Sequence, residues 1–318
     1  MDKFEFLYGP FLVSALISVL FMPILIPILR RLKFGQTIRE IGPSWHQKKS
    51  GTPTMGGIGF FISTLIAVLV YVNGNVQASL ALFTCAGFCL IGFVDDFIKV
   101  VLKRNLGLDE KQKLLSQTLV SVVFLFLARK WGMIDTALAV PFTDFSIELG
   151  IFYYVFATFL IVGFVNAVNL TDGVDGLAAS VTFLVCIFFA VFATGIAKNE
   201  YAIIPAAVAG GLLGFLFYNS HPAKVFMGDT GSLFLGGVVS VMAVACGCEL
   251  LLIPVGFIYL AEAISVMIQV FWFKRTGKRV FLMTPIHHHF EKKGWSEKKI
   301  CAVFCTITLV LCAVCYFA

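Results

Sequence analysis

The amino-acid sequence is dominated by uninterrupted apolar runs of about twenty residues, separated by short polar breaks. Such runs are typical of helices that span the hydrocarbon core of a membrane. In lipid, only helices and closed barrels satisfy their own backbone hydrogen bonds, and a barrel strand would alternate apolar and polar residues. Since these runs are continuous, and only 13% of the residues are charged, we predict an all-α polytopic integral membrane protein.

The polar breaks divide the chain into about ten predicted spans within a single transmembrane domain, residues 1–318. These spans are residues 10–30, 54–73, 76–94, 113–130, 150–167, 176–195, 201–218, 230–248, 250–272 and 298–317. The first run is too long for a signal-peptide core, and its basic flank, Arg30 and Arg31, follows it. It is therefore expected to remain as the first span. The segment 131–149 is expected to form an outer loop or a short hairpin.

Positive charge is concentrated in alternate loops. The loops after the first, third, fifth, seventh and ninth spans, with their flanking residues, hold 20 of the 24 Lys and Arg residues. Because cytoplasmic loops carry such an excess, these five loops are predicted to face the cytoplasm, with both termini outside. They are residues 31–53, 95–112, 168–175, 219–229 and 273–297. The net charge of +6 at this face favours anionic lipid or an anionic substrate, although a topology signal alone explains part of it.

Acidic residues stand at the predicted cytoplasmic ends of two spans. Asp95 and Asp96 end span three in the stretch GFVDDF, and Asp229 lies between two glycines before span eight. Carboxylates at the edge of lipid are costly and usually functional. Mg²⁺ takes one or two carboxylates together with substrate phosphates, so these residues predict a divalent-cation site for phosphate chemistry. On a helix the adjacent pair points about 100° apart, so that one carboxylate can bind metal while the other acts as a base.

The loop NAVNLTDGVDG places Asn169, Asp172 and Asp175 at intervals of three residues. On a helix or a helix-entry turn these side chains would share roughly one face, but Gly173 and Gly176 break the pattern and favour a loop that leads into span six. A simple N-cap at Asp172 would not explain Asn166, Asn169 and Asp175, which favours a polar pocket. Phe226, close before span eight, either stacks on a planar base or anchors in the membrane interface. Gln269 is polar inside span nine, where a pocket role and a hydrogen bond between spans both remain open.

Basic loops occur on the same side. The stretch HQKKSGTPTMGG, residues 46–57, combines lysines with glycines that permit close backbone approach, which suits either a phosphate or membrane-entry packing. Lys111 begins span four, where snorkelling to lipid phosphate is the alternative to a site role. The stretch TPIHHHF carries adjacent histidines that point in different directions, which favours diphosphate contacts over a zinc site. The nine cysteines show no metal-ligand spacing and are predicted to pack as small hydrophobic residues.

Together, five stretches resemble the polyprenyl-phosphate N-acetylhexosamine-1-phosphate transferase superfamily. They are KKSGTPTMGG, GFVDDF, NAVNLTDGVDGLA, HPAKVFMGDTGSLFLGG and TPIHHHFEKKGW. The histidine triplet is similar to that of the muramoyl-pentapeptide branch. The resemblance implies a homodimer of ten-span chains in the bacterial inner membrane, with outer termini and a cytoplasmic active site. It also implies Mg²⁺-dependent transfer of phospho-MurNAc-pentapeptide from UDP-MurNAc-pentapeptide to undecaprenyl phosphate. The products are lipid I and UMP, and the reaction is the first membrane step of peptidoglycan synthesis.

The resemblance further implies a role for each matching residue. The catalytic positions are matched by Asp95, Asp96, Asp229 and His288. The expected magnesium ligands are Asp96 and Asp229. The positions expected to bind substrate are Lys49, Lys111, Asn169, Asp172, Asp175, Phe226, Gln269, His287 and His289.

The same resemblance implies how the substrates are arranged. The polar residues of the NAVNLTDGVDG loop match the nucleoside side, with Phe226 stacking on uracil. The first two histidines of the triplet match positions beside the diphosphate. Asp95 then deprotonates or orients the lipid phosphate for direct attack on the β-phosphorus, unless an aspartyl-phosphate forms first. Both routes remain open from sequence.

Three other classes of protein are alternatives for a membrane protein that has acidic loops. An aromatic prenyltransferase requires a DDxxD motif, and DDFIK lacks its third acid. A CDP-alcohol phosphotransferase requires an arginine that DGVDGLAAS lacks. An ion-coupled transporter places carboxylates near mid-span at a repeat interface, whereas here they gather at one face and no repeat is visible. These differences favour the transferase.

Overall fold

The computed structural model describes residues 5–32, 51–102, 107–143 and 145–317. Twelve α-helices lie in these ranges: α1 (Glu5–Arg31), α2 (Gly57–Tyr71), α3 (Val76–Val100), α4 (Glu110–Lys130), α5 (Phe152–Thr171), α6 (Leu177–Gly195), α7 (Asn199–Asn219), α8 (Gly228–Cys246), α9 (Leu252–Val255), α10 (Phe257–Thr276), α11 (Ile286–Lys292) and α12 (Glu297–Phe317). Strands β1 (Ala137–Ala139) and β2 (Ser146–Glu148) pair antiparallel, so the segment after α4 contains a short hairpin. The prediction of an all-α fold is confirmed.

Nine of the described helices are long and apolar enough to cross a membrane. α2 is a shorter apolar helix of 15 residues, and with it each predicted span overlaps one of ten helices. The prediction of a polytopic membrane protein is therefore confirmed. The largest difference lies in the predicted span 250–272, which is interrupted before α10 begins at Phe257. A 3-10 turn, Glu249–Leu251, and α9 precede α10, since Pro254 and Gly256 do not favour a continuous helix.

α7 and α8 form the centre of the bundle. Almost all of α8 and most of α7 are buried, whereas α10 and α12 are mainly exposed. α1 and α6 pack on α7, while α3 and α5 pack on α8. A helix that is apolar on all sides can be buried on all sides, and the exposed apolar faces of the outer helices are suited to lipid. The start of α8 lies beside the start of α2 and the ends of α3 and α5.

Glycines permit the close approaches at the start of α8. A Cβ atom added to Gly92 of α3 would lie 2.0 Å from the backbone oxygen of Asp229. A Cβ atom added to Gly57 of α2 would lie 2.4 Å from the Cα atom of Gly231. Small residues let helix backbones approach closely in membranes. These contacts hold α2, α3 and α8 together where the acidic residues lie.

We expect Gly92→Ala to destabilise the protein by about 1–3 kcal/mol or more, because the added methyl group meets main-chain atoms that cannot rotate away. Gly163 on α5 provides a matched control, since its side is exposed and an added Cβ atom has no neighbour within 4 Å. Gly163→Ala is expected to be neutral or to stabilise the helix by less than about 1 kcal/mol. Thermal unfolding midpoints in detergent measure both effects. Equal midpoints for the two variants would contradict the proposed packing role.

Candidate active site

Three carboxylates meet where the end of α3 contacts the start of α8. Asp95 and Asp96 lie near the C-terminal end of α3, and Asp229 lies in the first turn of α8. Ligand oxygens of all three lie within 4.8 Å of one another. Asp95 is 0% exposed and Asp96 is 4% exposed. Buried charges of one sign require hydrogen-bond donors, cations or a metal ion to compensate them.

Asp96 caps α8 from a neighbouring helix. Its Oδ1 atom accepts a hydrogen bond from the backbone N–H of Asp229 at 3.2 Å. Its Oδ2 atom accepts hydrogen bonds from the backbone N–H of Thr230 at 2.9 Å and from the Thr230 hydroxyl at 2.7 Å. The first N–H groups of a helix have no partner within it and carry partial positive charge, so an anion is stabilised there. The cap holds Asp229 at a defined place beside α3.

Two lysines offset the charge of Asp95 and Asp229. Lys99 forms ion pairs with both, and its Nζ atom lies 2.9 Å from Asp229 Oδ2. Lys113 Nζ lies 3.3 Å from Asp95 Oδ1 and 2.5 Å from Asp229 Oδ2. Asp95 Oδ1 also accepts a hydrogen bond from the backbone N–H of Leu108 at 2.9 Å. The centre thus alternates acids and lysines, and it can bind both cations and phosphate oxygens.

Lys113, and not the predicted Lys111, reaches this centre. Lys111 lies on an exposed side of α4, whereas Lys113 is partly buried against the acids. Residues two positions apart on a helix point about 200° apart, so only one of the two faces α3. A capping box between Asp109 and Gln112 starts α4 at Glu110, and the packing of α4 on α3 places Lys113 beside the acids. Lys113 is therefore the lysine of α4 that contacts the acidic centre, and the predicted Lys111 lies outside it. Lys49, predicted from the first basic loop, lies outside the described residues.

Asn169 belongs to the acidic centre as well. Its Nδ2 atom donates hydrogen bonds to Asp229 Oδ1 at 2.9 Å and to Ser232 Oγ at 2.7 Å. One turn earlier on α5, the Nδ2 atom of Asn166 donates to Gln117 Oε1 at 2.7 Å. The asparagines of the NAVNLTDGVDG loop therefore link α5 to α8 and to α4.

Asp175 lies in a different cluster from Asn169, so these side chains do not share a helical face; the loop predicted from Gly173 and Gly176 is present instead. Asp175 Oδ2 accepts a hydrogen bond from the backbone N–H of Ala223 at 3.0 Å and lies 3.0 Å from His221 Nδ1. The backbone N–H of Asp175 donates to Glu297 at 3.0 Å. α5 ends at Thr171, and the chain then turns through two glycines, so helical spacing no longer applies. Asp172, the C-cap of α5, lies between the two clusters in sequence and is partly exposed.

The main chain around Phe226 pairs with the described part of the first basic loop. The backbone N–H of Phe226 donates to Pro53 at 2.8 Å, and that of Gly56 donates to Phe226 at 2.8 Å. The backbone N–H of Gly57 donates to Met227 at 3.0 Å. These bonds hold the glycine-rich segment beside the start of α8 and leave the Phe226 side chain partly exposed.

The first two histidines of the triplet pair with different glutamates. His287 is buried, and its Nδ1 atom lies 3.1 Å from Glu262 Oε1. His288 Nδ1 lies 2.6 Å from Glu291 Oε2 within α11. Adjacent helix positions point about 100° apart, which accounts for the separate partners. The His287 ring contacts Gly173, so the triplet reaches the loop that follows α5.

His289 and Gln269 hold the segment between α10 and α11. His289 Nδ1 accepts a hydrogen bond from the backbone N–H of Leu282 at 3.1 Å. Gln269 Oε1 accepts hydrogen bonds from the backbone N–H groups of Val280 and Phe281, each at 3.0 Å. Partial burial and nearby Lys293 lower the pKa of His289, which favours the neutral imidazole that accepts at Nδ1. The structure thus places both predicted substrate residues in contacts with this main-chain segment.

Among the residues that the structure describes, two groups of side chains have a donor set that could hold a metal ion. One consists of Asp95, Asp96 and Asp229, and it includes both predicted magnesium ligands. The other contains Asp175 with His221 and Glu297. Hard divalent cations such as Mg²⁺ prefer carboxylate oxygens, so the all-carboxylate group fits such a cation better than the group with an imidazole.

Known proteins are similar to this chain over most of its length. Residues 78–247 match the sequence profile of glycosyl transferase family 4. The chain is 49% identical over 303 residues to the phospho-N-acetylmuramoyl-pentapeptide-transferase of Geobacillus sp. (strain WCH70), which covers 94% of this chain and 93% of that protein. The chain belongs to glycosyl transferase family 4. The identically named proteins of Bacillus pumilus (strain SAFR-032) and Bacillus subtilis (strain 168) are 49% and 48% identical, over 93% and 94% of this chain and 92% and 94% of those proteins. The resemblance inferred from the motifs is confirmed.

Lys99 and Thr230 are residues of this family 4 site that the motif pattern did not single out. Lys99 stands four residues after Asp95, one helical turn along α3, so its ion pair was accessible from spacing alone. Thr230 follows Asp229 in a stretch whose glycines predict a turn. Nothing in that stretch predicts a role for the Thr230 hydroxyl group. Its contact with Asp96 joins residues 134 positions apart, and no local pattern predicts it.

Proposed function

We propose that the chain transfers phospho-MurNAc-pentapeptide from UDP-MurNAc-pentapeptide to undecaprenyl phosphate, with lipid I and UMP as products. The observation that carries the proposal is the network of Asp95, Lys99, Lys113 and Asp229 at the ends of apolar helices. Phosphoryl transfer depends mainly on positioning and charge neutralisation, which paired lysines and carboxylates supply. The relatives named phospho-N-acetylmuramoyl-pentapeptide-transferase support the choice of substrates.

In the proposed reaction, Asp95 accepts a proton from the lipid phosphate or orients it. A phosphate oxygen of the lipid then forms a bond to the β-phosphorus of the nucleotide sugar, and the bond from that phosphorus to the UMP oxygen breaks. Lys99 and Lys113 offset charge on the phosphate oxygens as the bond changes occur. Incubation with labelled nucleotide substrate alone tests this direct route, which leaves no phosphate on the protein; a trapped phosphoaspartate would replace it with a two-step route.

We propose Mg²⁺ as the cofactor, with Asp229 and Asp96 as its ligands and Asp95 beside them. Bound Mg²⁺ would neutralise diphosphate charge as a Lewis acid. The fit rests on three carboxylates whose ligand oxygens lie within 4.8 Å of one another. Asp96 has a second task, since it also caps α8.

The proposed site faces the cytoplasm of the bacterial inner membrane. α3 ends and α8 begins at the acidic centre, and the adjoining loops carry most of the positive charge. The β1–β2 hairpin, which follows the opposite end of α4, then lies outside, together with both termini. A homodimer is proposed on the family resemblance alone, and light scattering of the detergent-solubilised protein tests it.

A UMP-release assay of the purified chain in detergent tests the proposed function. Release is expected to require both undecaprenyl phosphate and UDP-MurNAc-pentapeptide, and to be at least about 100-fold slower with UDP-N-acetylglucosamine, which lacks the lactyl-peptide part. A preference for UDP-N-acetylglucosamine would overturn the assignment to the muramoyl-pentapeptide branch. An ion-coupled transporter would release no UMP from either nucleotide.

A further inference from the structure

Glu262 and His287 form a buried acid–imidazole pair. The reaction proposed above gives Glu262 no role. Glu262 lies on α10 and is 0% exposed. Its Oε1 atom lies 3.1 Å from His287 Nδ1. Its Oε2 atom accepts a hydrogen bond from the backbone N–H of His287 at 3.3 Å. One carboxylate therefore holds both the main chain and the ring of His287.

The opposite edge of the His287 ring lies against the loop that follows α5. A Cβ atom added to Gly173 would lie 2.2 Å from His287 Nε2 and 2.6 Å from Cε1, so the ring occupies the space of a side chain at this position. Both ring nitrogens are buried and, like Glu262 Oε1, form no hydrogen bond among the described residues, so the approach of Oε1 to Nδ1 is a close electrostatic contact. The packing against Gly173 and the contact with Glu262 therefore hold the ring in place.

We propose that Glu262 is a positioning residue for nucleotide binding: it holds a proton on His287 Nδ1 and keeps the Nε2 edge against Gly173, which fixes the loop that contains Asp172. A carboxylate beside one ring nitrogen selects which nitrogen carries the proton and sets the ring orientation. Without the Glu262 carboxylate, the His287 ring can rotate away from Gly173. The loop that follows α5 then loses its packing contact with the ring. The inference rests on the proposed function, in which this loop lies on the nucleoside side.

Kinetics of the full-length protein in detergent test the proposal. Glu262→Gln removes the charge and keeps an oxygen that can accept from the backbone N–H of His287. We expect KM for UDP-MurNAc-pentapeptide to rise about tenfold, and kcat to change less than about threefold, because the lost interaction orders the binding loop in ground and transition states alike. The double variant with His287→Asn is expected to match His287→Asn alone, since the two residues act through one contact.

Glu249→Gln is the matched control. Glu249 is also a buried glutamate, 1% exposed, but it lies in the turn after α8 and accepts a hydrogen bond from the Tyr153 hydroxyl. Its substitution is expected to leave KM unchanged. An equal rise in KM for both glutamine variants, or a fall in kcat with KM unchanged for Glu262→Gln, would show a general packing effect and overturn the proposal.

Histidine NMR gives a readout that does not depend on turnover. The chain has five histidines, so ¹⁵N-histidine spectra are simple and His287→Gln assigns the relevant signal. The Nδ1 atom of His287 is expected to carry a proton in the unaltered protein and to lose it to Nε2 in Glu262→Gln. An unchanged signal overturns the inference even if UMP release is normal. A changed signal in a protein that releases no UMP upholds the Glu262–His287 contact and rejects the proposed function.

Discussion

Asp229→Ala is expected to lower UMP release by at least about a thousandfold, at every Mg²⁺ concentration. Asp229 contacts Lys99, Lys113 and Asn169. Its removal therefore leaves two partly buried lysines and one asparagine amide without their shared partner. It also removes a carboxylate that is proposed to bind the metal. Added Mg²⁺ cannot restore a missing ligand, which is why the loss is expected to be independent of metal concentration.

Asp135→Ala serves as the control for removal of an acid. The Asp135 side chain is 90% exposed and pairs with Arg129 in the segment after α4, far along the helix from the acidic centre. Exposed ion pairs contribute little to stability, so activity is expected to stay within about twofold. Both variants are titrated with Mg²⁺ in the UMP-release assay, and their thermal midpoints confirm folding. Substantial activity of Asp229→Ala at high Mg²⁺ would refute the assignment of Asp229 as a metal ligand.

Lys113→Gln is expected to lower kcat by about 100-fold or more, since Lys113 is one of two cations that face the proposed position of the diphosphate. Lys111→Gln is its matched control, because it changes the same residue type two positions earlier on α4. Lys111 is exposed, so its loss is expected to change kcat by less than about threefold. Steady-state kinetics with saturating lipid measure both.

The pair of lysine variants tests the structure as well as the mechanism. If Lys111→Gln were the more damaging variant, α4 would have to turn a different face toward α3 from the one in the structure. If both variants were nearly fully active, Lys99 alone would supply the cationic charge, and the proposed pair of lysines would be wrong. A rise in KM with kcat unchanged would mean that Lys113 contributes equally to binding in the ground and transition states, and that it gives no additional stabilisation to the transition state.

Local patterns were sufficient for the membrane class, the family and the acidic motif. Apolar runs predict helices because a segment that crosses lipid must be hydrophobic and must form its backbone hydrogen bonds within itself. Asp95, Asp96 and Asp229 were identified because acids at the edge of apolar helices are costly. The interruption before α10 was missed, although Pro254 and Gly256 are visible in the sequence, because the apolar run continues through them.

Apart from the Asp95–Lys99 pair within α3, the partners of these residues cannot be predicted from any local pattern. Lys99 and Asp229 are 130 positions apart, and the glycine contacts between α3 and α8 bring them together. Lys113, and not Lys111, contacts the acids because of the side on which α4 packs against α3, and Asp175 separates from Asn169 because α5 ends between them. Hydrophobicity and charge are properties of each residue, whereas helix phase and helix contact are properties of the packed bundle. The motifs thus predict most of the residues that form the site, and the packing of the helices determines which of these residues contact one another.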